Sequence, residues 1–295
     1  MEPAIARQLH PSDRAFVREA VRALERPGRL IEIINTVAGR PVEAIIKHLP
    51  DRAAETLNRA LYRALNRAIE WAAATLERPE AAPARPELDT PLSHARASAL
   101  AHTTAAALLG GLSGAFGIAL IALELPVTTT VMLRSIASIA RDMGADLNDA
   151  KTRLECVSVF SFGGPSPDDD ATDSSYLTTR LGLALLLRDA GSFIAGRSAQ
   201  QVTDAIARGA APELADLIAR ISARFGYAVT DIASAQLVPV VGALGGAAIN
   251  ACFTNYFNRI AVYHFGIRKL ERLYGEQAVE AAYRDEMAAL PRSGK

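Results

Sequence analysis

The 295-residue chain is 50% apolar and carries 32 basic against 32 acidic side chains. That composition excludes disorder as the dominant state and leaves no overall field to gather nucleic acid. Its two cysteines, Cys156 and Cys252, lie in apolar stretches without C-x-x-C spacing, which excludes a disulfide framework or zinc ribbon and points to reduced, buried thiols.

No basic segment runs into an apolar stretch between Met1 and Arg7. No secretory leader is expected, and a location in the cytoplasm or peripheral to the cytoplasmic face of the inner membrane follows. Ser12-Asp13 can cap a first helix on which Phe16, Val17, Ala20, Val21 and Leu24 share a face, ended by Pro27-Gly28. A short apolar helix follows, broken by Gly39 and Pro41. From Asp51 to about Leu76, Leu57, Leu61, Leu65 and Ile69 recur every fourth residue and predict one inward stripe. Arg59, Arg63 and Arg67 run parallel to it, as a solvated face. Prolines at 79, 83, 86 and 91 make the segment from Arg78 to Pro91 the linker of the chain.

No charged residue occurs between Ala97 and Leu123, or between Ile232 and Asn258. Either run is long enough to cross a bilayer. Both, however, are rich in alanine and glycine and carry polar groups such as His102, Thr103, Gln236 and Asn250. A buried helical hairpin is therefore favoured over insertion, with reversible membrane association as a third state. Gly110, Gly111, Gly114 and Gly117 in the first run, and Gly242, Gly245 and Gly246 in the second, have the spacing that lets two helix backbones approach closely. The expected fold is all-α: a single large multi-helix bundle around these two central glycine-rich helices.

Glu124-Leu125-Pro126 reads as a corner that opens a new helix, stopped by Gly144. Asp146 or Asn148 can cap the next helix, which carries Leu154, Val157 and Phe160 and ends at Gly163-Gly164-Pro165. The acidic stretch with Asp168, Asp169, Asp170 and Asp173 lacks the bidentate glutamate and glycine of a calcium loop and reads as solvated. Helices are expected over Tyr176 to Ala190, Arg197 to Ala207 and Pro212 to Phe225, the last stopped by Gly226. Two more are expected around Ile267 to Tyr274 and over Gln277 to Leu290. No sustained period-two run argues for strands.

Arg134 is the single charge between Val127 and Ala140. A guanidinium inside an apolar helix needs a partner, and Glu124 and Glu155 are the candidates. The functional reading makes Glu124 and Arg134 a polar site, and the plainer one a buried ion pair that fixes register. Gln236 and Asn250 are expected to hydrogen-bond within the core. The five histidines show no ligand spacing, and His264, beside Phe265 and near Tyr263, reads as a core histidine rather than a general base. No metal and no cofactor is expected. Gly111-Leu112-Ser113-Gly114 is not a nucleophile elbow, and metalloprotease, P-loop and dinucleotide fingerprints are all missing.

Several blocks together resemble the EcsC protein family. They are Glu124-Leu125-Pro126-Val127-Thr128, Met132 to Ala137, Ile139-Ala140-Arg141 leading to Asp146-Leu147, and Arg153-Leu154-Glu155-Cys156 with Phe160 and Gly163-Gly164. Gln236 to Ala243 continues to Ile249-Asn250 and on to His264-Phe265. The blocks reach from about residue 95 to 275, so residues 1–90 read as an N-terminal helical region and 91–295 as an EcsC-like core continuous with it. The resemblance implies a bacterial protein linked to an ATP-binding cassette transport operon and, through it, to the membrane. It assigns no role to Glu124, Arg134, Gln236 or Asn250. Three functions compete. The first is a non-enzymatic protein that binds a membrane surface, lipid or membrane-protein partner reversibly; the second is a carrier holding an apolar ligand between the central helices. The third is a hydrolase using Glu124 as acid or base beside Arg134. Oligomeric state is not legible.

Overall fold

The computed structural model describes residues 8–25, 51–74, 92–93, 96, 118–162, 175–236 and 242–290. These residues form nine α-helices, and no strand occurs among them. In chain order they are α1 (Pro11–Leu24), α2 (Asp51–Ala73), α3 (Ile118–Asp142), α4 (Ala150–Ser158), α5 (Ser175–Ile194), α6 (Ala199–Ala207), α7 (Pro212–Gln236), α8 (Gly242–Tyr274) and α9 (Glu276–Ala288). One 3₁₀ turn, Val159–Ser161, follows α4. The protein is all-α, as composition and periodicity predict.

α2 is the inner strut, packing along α3 and touching α4, α6 and α7. The four-residue stripe is buried as expected, interleaved with Ala60, Ala64, Ala68 and Ala72. Those small residues leave room for α3 to lie close. Arg59, Arg63 and Arg67 are exposed. The first helix likewise buries Phe16, Val17, Ala20, Val21 and Leu24. It starts on Pro11, whose fixed φ suits a first turn, and no side chain caps it, so Ser12-Asp13 is not the cap.

Three expected breaks, at Pro126, at Gly226 and before Ile267, are absent. Pro126 does not make a corner: α3 runs through it. Losing the proline amide costs about 3 kcal/mol in a helix interior, which packing along α2 and α8 offsets. Gly226 does not stop α7, which continues to Gln236. Its φ is not positive, and a Cβ there would meet Leu61 Cδ2 at 3.4 Å, so it serves the α2–α7 crossing. Of the stretch Ile232 to Asn258, residues 232–236 end α7 and residues 242–258 open α8, while residues 237–241 lie outside the described residues. The helix expected around Ile267 is the last part of α8, 33 residues long.

Other ends fall close to expectation. Gly144 takes φ 82° beyond α3. Asp149, not Asp146 or Asn148, caps α4 by accepting from the Lys151 and Thr152 amides. Ser198 and Gln201 form a capping box that starts α6 at Ala199. The 3₁₀ turn sets Phe160 between α7 and α8, its ring 4.6 Å from Phe225 and 5.3 Å from Phe257, centroid to centroid. α1 closes the bundle against α8 and α9, where Arg14 and Arg18 reach Glu286 at 3.0 and 2.8 Å. The proline linker, the acidic stretch and the first uncharged run up to residue 117, including Gly110, Gly111, Gly114 and Gly117, lie outside the described residues. Gly242, Gly245 and Gly246 lie in the first turns of α8, with their packing also outside them.

Candidate functional site

Among the sequence-predicted polar residues, Glu155 on α4 and His264 on α8 come together. His264, Arg268 and Glu271 follow one another at helical spacing on α8, and Tyr176 and Arg180 do so on α5. His264 Nε2 lies 3.2 Å and Arg268 Nε 2.9 Å from Glu155 Oε1. Neither N–H is well aligned on that oxygen, so the hold is chiefly electrostatic. The two Nη of Arg180 meet the two carboxylate oxygens of Glu271 at 2.6 and 2.8 Å, a bidentate fork, and Arg268 Nη1 joins the same carboxylate at 2.8 Å. Tyr176 donates to His264 Nδ1 across 2.9 Å. Two carboxylates and two guanidinium groups thus neutralise each other.

Burial pushes the Glu155 carboxyl up, but the His264 N–H and the charges of Arg268 and Arg180 overcome it and hold it at about 2. Burial lowers His264, so its ring is neutral with the proton on Nε2 and Nδ1 accepting. Burial raises the Tyr176 phenol and the Cys156 thiol next to Glu155. A tyrosine, histidine and carboxylate in a row have the outline of a relay. Here Tyr176, at the end of the row, is 2% exposed and its phenol is shifted away from ionisation.

Glu124 and Arg134 form no pair. They lie ten residues apart on the single helix α3, about 15 Å along its axis, because the corner between them does not exist. Glu124 is half-buried, whereas Arg134 is exposed and so needs no buried partner. Glu155, its other candidate, is committed to His264 and Arg268. Asn250 is buried on α8 more than three turns before His264, and Gln236 ends α7. Asn250 does not belong to the cluster, and the Gln236 side chain lies outside the described residues.

Arg153, to which the sequence assigns no role beyond its place in a resemblance block, is buried. It is 7% exposed and donates to the carbonyls of Ala72, Leu147 and Asn148. Its guanidinium closes the orphan C-terminal end of α2. Arg272 does the same for α3 through the Met143 carbonyl at 2.8 Å.

The cluster reaches solvent in a groove of about 440 Å³ between α5 and α9. Its floor is Glu155, Arg180, Arg268 and Glu271, and its apolar wall is Leu177, Leu181 and Ala184, with Met287 opposite. Leu181, at the rim of this wall, is 77% exposed, and Leu185, one turn on along α5, 61%. No group of His, Cys, Asp and Glu among the described residues is placed to hold a metal ion.

The chain belongs to the EcsC protein family, whose family model matches residues 17–270. Neither a curated protein nor a solved structure matches it.

Proposed function

We propose that this is a non-enzymatic EcsC-type protein that associates reversibly with a membrane surface through the outer face of α5. The observation that carries this reading is the solvent exposure of Leu181 and Leu185 in the uncharged stretch Leu181 to Leu187, with the exposed Arg188 at its end. A helix lying in the membrane interface has this build, apolar on one face and cationic at its border. Fully burying one leucine yields about 1.5–3 kcal/mol, so two give a weak, reversible association. Among the described residues no helix is long and apolar enough to cross a membrane, which fits a surface-bound rather than a spanning mode. Two free thiols suit the reducing cytoplasmic side. A link to transport across that membrane, carried by the family resemblance, belongs to the same reading.

Sedimentation with phosphatidylglycerol-containing vesicles tests it. The protein is expected in the vesicle pellet, and Leu181→Glu/Leu185→Glu in the supernatant with its helicity intact. Wild type that never sediments at any salt concentration, or a double variant that sediments equally, overturns the reading.

A further inference from the structure

A second cleft, of about 830 Å³, opens at the other end of α4 and α5, against the start of α6. Its charged lining is Lys151, Arg153, Arg188 and Arg197 against the single acid Asp149. These side chains are not equivalent. Arg153 is spent on three carbonyls. Asp149 is spent on the amides of its own helix and the Thr152 hydroxyl. Lys151 makes no ion pair among the described residues. Arg197 has no acidic partner among them either; it lies over the Phe193 ring, 4.1 Å from its centroid, and donates to the Phe193 carbonyl. Arg188 meets Asp189 at 3.0 Å through Nε, which leaves both its Nη groups open.

The backbone brings these cations together. At Gly191, one turn beyond Arg188, a Cβ would stand 3.3 Å from Lys151 Cβ, so α4 and α5 approach here as closely as a glycine allows. Lys151 is thereby held beside the α5 residues that carry the cationic wall. The starts of α4 and α6 also open onto the cleft; both are capped by their own side chains, so their dipoles add to a field that Lys151, Arg188 and Arg197 supply.

We propose that this cleft binds a phosphate-bearing anion, with Lys151, Arg188 and Arg197 as its ligands. A phosphate group carries the charge to satisfy three cations at once and the oxygens to accept a guanidinium fork. The volume lies in the range of small-molecule sites and admits a group the size of a glycerophosphate or pyrophosphate. The phosphate is either that of a soluble phosphoester or that of a lipid headgroup. Arg188 lies on the same face of α5 as Leu181 and Leu185, seven residues on from Leu181. A lipid seated by its phosphate would therefore meet the leucines along the same helix. The site does not depend on that docking, because a soluble phosphoester fills it with the leucines idle.

Full-length protein is titrated by calorimetry at low salt with inorganic pyrophosphate and with glycerol phosphate. In parallel it is sedimented with vesicles of phosphatidylcholine alone or with added phosphatidylglycerol. Binding to either soluble probe, or pelleting only with phosphatidylglycerol, supports the site and names its source. Lys151→Glu/Arg197→Glu is then expected to weaken the response by about tenfold or more, the equivalent of roughly 1.4 kcal/mol. Lys151→Gln/Arg197→Gln, gentler on folding, lowers it in the same direction. Leu181→Glu/Leu185→Glu keeps soluble-probe binding, which separates failure of this site from failure of membrane docking. No response to any probe, or charge variants that respond like wild type, overturns the proposal.

Discussion

α4 and α5 carry two charged regions of opposite character. On the side facing α8, Glu155 and Arg180 enter a cluster in which every charge has a counter-charge within 3.2 Å. At the other end, Lys151, which also borders the groove over the cluster, joins Arg188 and Arg197 at an open cleft; its lining acid Asp149 is tied to its own helix, and Asp189 meets Arg188 through Nε alone. Buried charges are costly unless paired, so the first region is closed on itself and fixes how three helices sit. Exposed like charges have no such constraint, and their convergence in one cleft is left to be satisfied from outside. The difference separates what holds the molecule together from what it presents to others.

Damage on the two sides should therefore read out differently. The largest effect is expected from Glu155→Leu, which leaves His264 without its carboxylate and strips Arg268 of one of its carboxylate partners, Glu271 remaining. Removing one partner of a buried pair costs roughly 3–5 kcal/mol, and with Arg268 a quarter exposed the loss should sit near the low end, read as a drop in urea midpoint. Gly266→Ala comes next. Its Cβ would stand 2.6 Å from Phe16 Cε1 and closer still to Cζ, and overpacking of this kind costs about 1–3 kcal/mol. The strain would fall on the α1–α8 contact beside His264.

Acid should undo the cluster in two stages. His264 is held below its ordinary 6.5, so the unfolded chain binds its proton first and stability falls as pH drops below that value. Glu155 is held from 4.5 down to about 2, so its share is present above pH 4.5 and is lost as pH falls through that interval. Each proton taken up on unfolding contributes a slope of about 1.4 kcal/mol per pH unit. His264→Gln should remove the upper limb and, by taking away one of the groups that hold Glu155 down, shrink the lower one in a series of denaturation curves. The smallest effect belongs to the outer cleft: Lys151→Glu/Arg197→Glu should change stability by no more than about 0.5 kcal/mol, the usual range for surface substitutions. A large loss there would erase the contrast between the two regions.

How much of this was legible in the sequence follows from how one-sided each helix is. α2 separates leucine and alanine from arginine around its circumference, so its buried and exposed faces could both be named beforehand. α5 has leucines at 177, 181, 183, 185, 186 and 187, which surround the helix. No periodicity marks Leu183 as buried and Leu185 as exposed. Proline and glycine misled for a related reason. Pro126 and Gly226 signal a break locally, while the packing of α3 and α7 against α2 carries the helix through. In the cluster, Glu155 and His264 were noticed singly. Arg268 and Glu271, four and seven residues after His264, and Tyr176 with Arg180, had the spacing that would have joined them. Arg153 gave no such sign, because its partners are backbone carbonyls.

The central claim, that the outer face of α5 is where this protein meets its target, is tested most directly by amide hydrogen exchange with and without phosphatidylglycerol vesicles. Slowed exchange is expected across residues 177–192, while the arginine-bearing face of α2 between residues 55 and 70 stays unchanged. Unchanged exchange in α5 with vesicles bound, or protection confined to α2, would contradict the account.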